Sequence, residues 1–293
     1  MKIIDLFRSG KPVVSFEVFP PKPEMPVSSV YGALEKLTAL GPGYMSVTYG
    51  AAGGSRNSTI EISSTIKACH GIESMAHFTC AGHSYGEIDN MLLQLKENGL
   101  ENILALRGDP PADDPGFDFS KGAYRYASEL ISHIRSSEAG RNLCIAAAAY
   151  TEGHTESLRL KDDLEHLRHK VDCGVDFLVT QLFFDNRSFY NFMDRAAGAG
   201  ISCPVTAGIM PVYKADQIKR IAALCGASIP AKLVLLMDKY GASPDDMRKA
   251  GIEYAAAQIR DLVENNTAGI HLYTMNRPVS AAEIIDAAGI GPA

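Results

Sequence analysis

Apolar and β-prone residues gather into eight short runs along the chain: VVSFEVF from Val13, YMSVTYG from Tyr44, ESMAHFTC from Glu73, NILALRGD from Asn102, LCIAAAAY from Leu143, FLVTQLFFD from Phe177, VTAGIM from Val205 and GIHLYTM from Gly269. Most begin about 30 residues apart, the length of one strand-plus-helix unit. Between them, apolar residues recur three or four apart, the period of a helix with one buried face. Val30, Leu34, Leu37 and Leu40 form one such stripe, and Ile88, Met91, Leu92 and Leu95 a second. Leu160, Leu164, Leu167 and Val171 form a third, and Ile218, Ile221 and Leu224 a fourth.

Near-continuous apolar strands alternating with helices predict a parallel sheet covered by helices, and eight such units suit closure into a (β/α)8 TIM-type barrel. An open doubly wound sheet is the alternative; no GxGxxG follows the first strand to support it. No linker divides the chain, so residues 1–293 read as one catalytic barrel domain. Two segments break the rhythm. Pro110 to Gly122 (PPADDPGFDFSKG) is a turn-rich loop after the fourth strand, of the long kind that often carries function. Between the seventh and eighth strands lie extra helices, IPAKLVLLMDKY from Ile229 and a long one near Asp245 to Asn265.

The length of 293 residues and a hydrophobic share of 46% are enough for one large core. A net charge of -6, with Lys and Arg scattered, argues against a nucleic-acid or anionic-membrane surface and for small-molecule partners. Neither a signal peptide nor an apolar stretch of membrane-spanning length is read, so a cytoplasmic location is expected. Cys69, Cys80, Cys144, Cys173, Cys203 and Cys225 stand singly and read as reduced core thiols.

Active sites of such barrels form at the C-terminal ends of the strands, and polar residues recur there. Glu17 lies late in the first strand, Thr48 ends the second, His77 lies in the third, and Arg107 and Asp109 end the fourth. Tyr150 ends the fifth, and Gln181 with Asp185 lies late in the sixth. Any one of these alone is ordinarily a satisfied structural residue; their recurrence at one end of successive strands implies a rim of converging side chains. Glu17, flanked by Phe16, Val18 and Phe19, invites a pKa raised by desolvation and general-acid work; pairing with Arg or Lys is the alternative. Asp163 and Lys170 share one face of the helix after the fifth strand, where solvated surface charges are the ordinary expectation. The histidines His70, His77, His83, His154, His166, His169 and His271 include no HExxH, and no metal site is assigned. A metal-dependent barrel hydrolase using His77 and Asp109 stands as a rival.

The segments SFEVFPPK (Ser15 to Lys22), SVTYGA (Ser46 to Ala51), AHFTC (Ala76 to Cys80), LALRGDPP (Leu104 to Pro111), AAYTEGH (Ala148 to His154), KVDCGVDFLVTQLFFD (Lys170 to Asp185), GIMPV (Gly208 to Val212) and LYTMNR (Leu272 to Arg277) resemble the methylenetetrahydrofolate reductase family, in order and over nearly the whole chain. The resemblance implies a barrel carrying FAD, with FMN left open, and ping-pong reduction of 5,10-methylenetetrahydrofolate to 5-methyltetrahydrofolate. Glu17 would be the general acid that opens the methylene bridge, giving the iminium that accepts hydride from flavin N5. Asp109 would lie beside flavin and folate, and Gln181 would hydrogen-bond the pterin or the nicotinamide. Thr48, His77, Leu106, Arg107, Gly108, Asp109, Tyr126, Ala127, Tyr150, His154, Asp163 and Lys170 would hold the cofactor, and Arg277 would contact substrate.

One place departs from the family pattern: Met237 stands where bacterial relatives carry an aromatic residue that stacks on substrate, with Tyr240 as a substitute. The electron donor is a reduced nicotinamide dinucleotide, NADH or NADPH, or a partner protein subunit; no separate motif chooses between them. A homo-oligomer is expected. Because the chain ends soon after the barrel, the C-terminal regulatory domain of eukaryotic relatives is expected to be absent.

Overall fold

The computed structural model describes residues 1–22, 24–49, 56–110, 114 and 116–291. Eight parallel strands close into a barrel in sequence order. They are β1 (Val13–Val18), β2 (Tyr44–Val47), β3 (Glu73–Thr79), β4 (Asn102–Leu106), β5 (Cys144–Ala149), β6 (Phe177–Thr180), β7 (Val205–Ile209) and β8 (Gly269–Tyr273). Every expected run contains one, and β8 pairs with β1 to complete the ring. The helices that follow the strands are α1 (Tyr31–Thr38), α2 (Arg56–His70), α3 (Tyr85–Glu97), α4 (Ala127–Ser136), α5 (Leu160–Asp172) and α6 (Asn186–Gly198). After β7 come α7 (Ala215–Cys225), α8 (Ala231–Tyr240) and α9 (Pro244–Glu264), and α10 (Pro278–Ala288) follows β8.

Strand alternation sorts the side chains into two cores. Outward residues such as Phe16, Met45, Ile103, Ile145 and Leu272 pack under the helices. Inward residues Val13, Tyr44, Met75, Leu104, Cys144 and Phe177 fill the lower barrel, and the 3-10 segment Ile3–Ser9 covers that end with Ile3, Leu6 and Phe7. A fully buried side chain of this size stabilises the fold by roughly 1.5–3 kcal/mol, so the lower barrel is a packed floor rather than a channel. The polar inward residues lie above it.

Several expectations are corrected. The stripe Leu160, Leu164, Leu167, Val171 buries only Leu167 fully, and Leu160 is 48% exposed. Leu224 ends its own stripe 69% exposed. The sixth run leaves the sheet after Thr180: Phe183 stacks on Phe189 of α6, and the Asp185 carboxylate caps α6 by accepting from Arg187 N–H. Of the six cysteines only Cys80 and Cys144 are buried, and Cys69 is exposed. Gly50 and Ala51 of SVTYGA, and Pro111 to Asp113 with Pro115 of the long loop, lie outside the described residues. No helix of the described residues is long and apolar enough to cross a membrane.

Candidate active site

Above Val13, the inward positions of β1 are Ser15 and Glu17; Ser46 of β2 stands opposite Glu17, and His271 of β8 opposite Ser15. This register brings four polar side chains into one buried cluster. Ser15 Oγ lies 3.1 Å from the Ile270 carbonyl and 2.7 Å from His271 Nδ1. His271 Nε2 stands 3.2 Å from Ser46 Oγ and 3.5 Å from Glu17 Oε2. His77 Nε2 approaches the same Oε2 at 3.4 Å and has no well-formed hydrogen bond of its own.

The expected raised pKa of Glu17 is overturned. Burial pushes it up, but hydrogen bonding and charge from His271 and His77 more than reverse that, holding the carboxyl down to about 2. Its partners are imidazoles rather than Arg or Lys. Glu17 Oε1 makes no hydrogen bond among the described residues.

The remaining rim residues follow directly on the strand ends. Thr48 N–H donates to the Val18 carbonyl at 3.0 Å, which fixes the exit of β2 beside Glu17. After Leu106, the Arg107 carbonyl accepts from Ala81 N–H at 2.8 Å and Gly108 adopts φ 87°. A Cβ at Gly108 would meet Thr79 Cβ at 3.0 Å, so only glycine makes this turn without strain. It delivers Asp109 to the mouth, exposed and without an ion pair or hydrogen bond among the described residues. Arg107 is bidentate to Glu156 at 2.8 and 2.5 Å and lies over the Phe119 ring at 4.4 Å.

The loop after β5 is organised by α5. Asp163, in the first turn of α5, accepts from His154 N–H at 3.1 Å and from Ser157 Oγ at 3.0 Å, and is no free surface charge. His154 packs edge-on against Tyr150 at 4.7 Å, and its Nδ1 accepts from Glu156 N–H. Lys170 reaches back to the barrel, donating to the Ala148 carbonyl at 2.6 Å. Tyr150 and Gln181 share a small cleft with Gly153, Leu182, Cys225 and Gly226. Gln181 Oε1 accepts from Leu182 N–H, which leaves the amide nitrogen toward other partners. Tyr126 and Ala127 open α4, with the Tyr126 ring exposed under Arg125.

Two substrate assignments are placed differently. Met237 is buried at 5% exposure among Leu233, Met247 and Phe184, because α8 turns Leu233 and Met237 inward one turn apart. Tyr240 packs partly on the same cluster, under Lys239. Arg277 is exposed ahead of α10, its guanidinium 4.7 Å from the centre of the Tyr213 ring. Among the described residues no group of three or more His, Cys, Asp or Glu side chains is arranged to hold a metal ion.

Sequence reasoning passed over Ser15, Ser46, His271, Tyr273 and Glu156. For the first four the signal was available in strand parity: they share the inward positions of Glu17 and His77.

The sequence model of methylenetetrahydrofolate reductase matches residues 2–289. The chain belongs to the methylenetetrahydrofolate reductase family. Among methylenetetrahydrofolate reductases, the chain is 33% identical to the 5,10-methylenetetrahydrofolate reductase of Escherichia coli (strain K12), over 97% of its own length and 93% of that protein. It is 34% identical to methylenetetrahydrofolate reductase (NADH) 1 of Arabidopsis thaliana over 97% of its length, and spans about half of that relative, 50%. Among solved structures, an uncharacterized protein from Clostridium thermocellum that binds two copies of 5-methyl-5,6,7,8-tetrahydrofolic acid superposes with a TM-score of 0.65. It is 11% identical, with 98% of this chain and 97% of that one covered, a likeness of fold alone.

Lys170 gives this reductase-family rim a measurable pH signature. Burial pushes its ammonium down to about 8, with Asp163 opposing. The folded state then binds fewer protons than the unfolded state between about pH 8 and the ordinary lysine value near 10.4, so the cost of charging Lys170 is full below pH 8 and relieved above it. Lys170→Met is expected to raise the thermal midpoint at pH 7 and to flatten the rise of the wild-type midpoint from pH 8 to 10. Parallel curves for the two proteins would refute the assignment.

Proposed function

We propose that this chain binds FAD at the C-terminal mouth of the barrel and reduces 5,10-methylenetetrahydrofolate to 5-methyltetrahydrofolate, with a reduced nicotinamide as electron donor. The observation that carries this reading is the buried Glu17–His271–His77 cluster, with Asp109 at the mouth unpaired among the described residues. When bound, the flavin supplies the hydride and stores electrons between two half-reactions. The rim suits such a group: His77 Nε2 is buried without a well-formed hydrogen bond, Gly108 brings backbone close, and Lys170 is a desolvated cation.

The chain's own part is proton placement and charge. Glu17 is held ionised, with the Nε2 atoms of His77 and His271 at 3.4 and 3.5 Å from its Oε2. Opening of the methylene bridge needs a proton on the departing nitrogen, and Glu17 relays it from His271 through a carboxyl whose Oε1 has no hydrogen-bond partner among the described residues. Asp109 then faces the resulting cation, favouring it electrostatically once water is excluded. Gln181 offers its amide to the pterin edge, and Tyr150 with His154 presents an aromatic wall.

The test is an anaerobic visible spectrum before and after adding 5-methyltetrahydrofolate. A flavin spectrum that bleaches is the expected result, since the reverse half-reaction reduces the cofactor. Absence of flavin after reconstitution with FAD would reject the reading.

A further inference from the structure

Tyr273, the last residue of β8, points inward and crosses the mouth of the barrel. Its Oη donates to the Thr180 carbonyl of β6 at 2.9 Å, although β7 lies between β6 and β8. The phenol passes over β7 at Gly208. A Cβ there would stand 2.8 Å from Tyr273 Oη, 3.0 Å from its Cε2 and 2.3 Å from the Thr180 carbonyl oxygen. Gly208 N–H in turn donates to Thr180 Oγ1 at 2.9 Å, so three strands are tied at one level.

Each end of this strap meets a functional group. The ring edge packs against His271, with centroids 5.5 Å apart and planes at 84°. Thr180, at the other end, immediately precedes Gln181, whose N–H donates to the Ala149 carbonyl at 2.7 Å.

We propose that Tyr273 is a positioning residue for the folate half-reaction, a cross-brace that sets the span between the Glu17–His271 proton pair and the Gln181 amide. The proposal rests on the flavin-and-folate reading above. The hydroxyl touches neither reacting atom; it acts by fixing where the pterin edge sits relative to the proton it must receive. Burial, with Glu17 nearby, raises the phenol pKa well above its ordinary value, so the hydroxyl remains a donor throughout the working range. Misplacement on the order of 1 Å between reacting groups costs about a hundredfold in rate, whereas binding is more tolerant, so the signature is a loss of rate rather than of affinity.

The experiment compares wild type with Tyr273→Phe, which keeps the ring and removes the hydroxyl, by stopped-flow under anaerobic conditions. The expected result is a plateau rate of flavin bleaching by 5-methyltetrahydrofolate reduced about tenfold or more, with half-saturation within threefold. Flavin content, thermal midpoint and the plateau rate of flavin reduction by NADH stay within twofold of wild type. Bleaching at the wild-type rate in the variant, while wild type itself bleaches, overturns the brace and leaves the parent reading intact. Equal losses in both half-reactions overturn it as well, since they mark general packing. If the wild-type flavin ignores 5-methyltetrahydrofolate, the parent reading fails and the brace falls with it.

Discussion

Glu17→Gln is expected to slow flavin bleaching by 5-methyltetrahydrofolate by at least about a hundredfold, the usual worth of a positioned general acid, while flavin reduction by the nicotinamide stays within twofold. The substitution conserves shape and removes the carboxyl that His77 and His271 face. His271 Nε2 stands 3.5 Å from Glu17 Oε2, the oxygen through which the proposed relay carries a proton toward the mouth. A glutamine there cannot accept and release that proton in turn. Ser46, the other neighbour of Nε2, stands at a position with no solvent exposure. The two half-reactions separate the explanations: loss of both would point to damaged cofactor binding, and retention of both would sink the acid role.

How much of this was legible in the sequence depends on which contacts are local. Strand starts were legible because alternation of apolar runs with helical stripes is a property of consecutive residues. The rim was legible for the same reason: Thr48, Arg107, Asp109, Tyr150 and Gln181 all follow their strands within three residues. The protonation of Glu17 was not. Its flanking Phe16 and Val18 point outward under the helices, while the groups that govern it arrive from β3 and β8. Local sequence therefore suggested an apolar environment that belongs to the other face of the strand.

Met237 combines two local signals: motif position puts it where bacterial relatives carry an aromatic residue, and the helical period, with Leu233 one turn earlier, places it in the core under α8. Leu160 and Leu224 show the converse. Each sits at the exposed end of a helix stripe, where the loop after β5 meets the α7–α8 connection: a Cβ at Gly226 would touch Thr155 Cγ2 at 2.9 Å.

Gly251→Ala is expected to produce the largest loss of stability among single small substitutions, against the sense of local propensity. Gly251 lies inside the 21-residue helix α9, where alanine ordinarily stabilises by about 1 kcal/mol. Here a Cβ would stand 1.8 Å from the Val212 carbonyl oxygen and 2.7 Å from its carbon. Both atoms are backbone and cannot swing aside, so the helix itself must move. That movement is resisted by Tyr254 Oη donating to the Phe184 carbonyl at 2.5 Å, and by Asn186 Nδ2 and Tyr190 Oη donating to Asp261 at 2.6 Å each. These bonds tie α9 to the β6–α6 connection just beyond Gln181, so displacement of the helix reaches the rim. Overpacking of this kind costs roughly 3 kcal/mol or more, which lowers the thermal midpoint by roughly 6 °C in a domain of this size. Gly198→Ala in α6 is the control: nothing lies within 4 Å of its Cβ, and it is expected to leave the midpoint unchanged or raise it. A Gly251→Ala protein as stable as that control would show that α9 is not seated on the β7 exit as described.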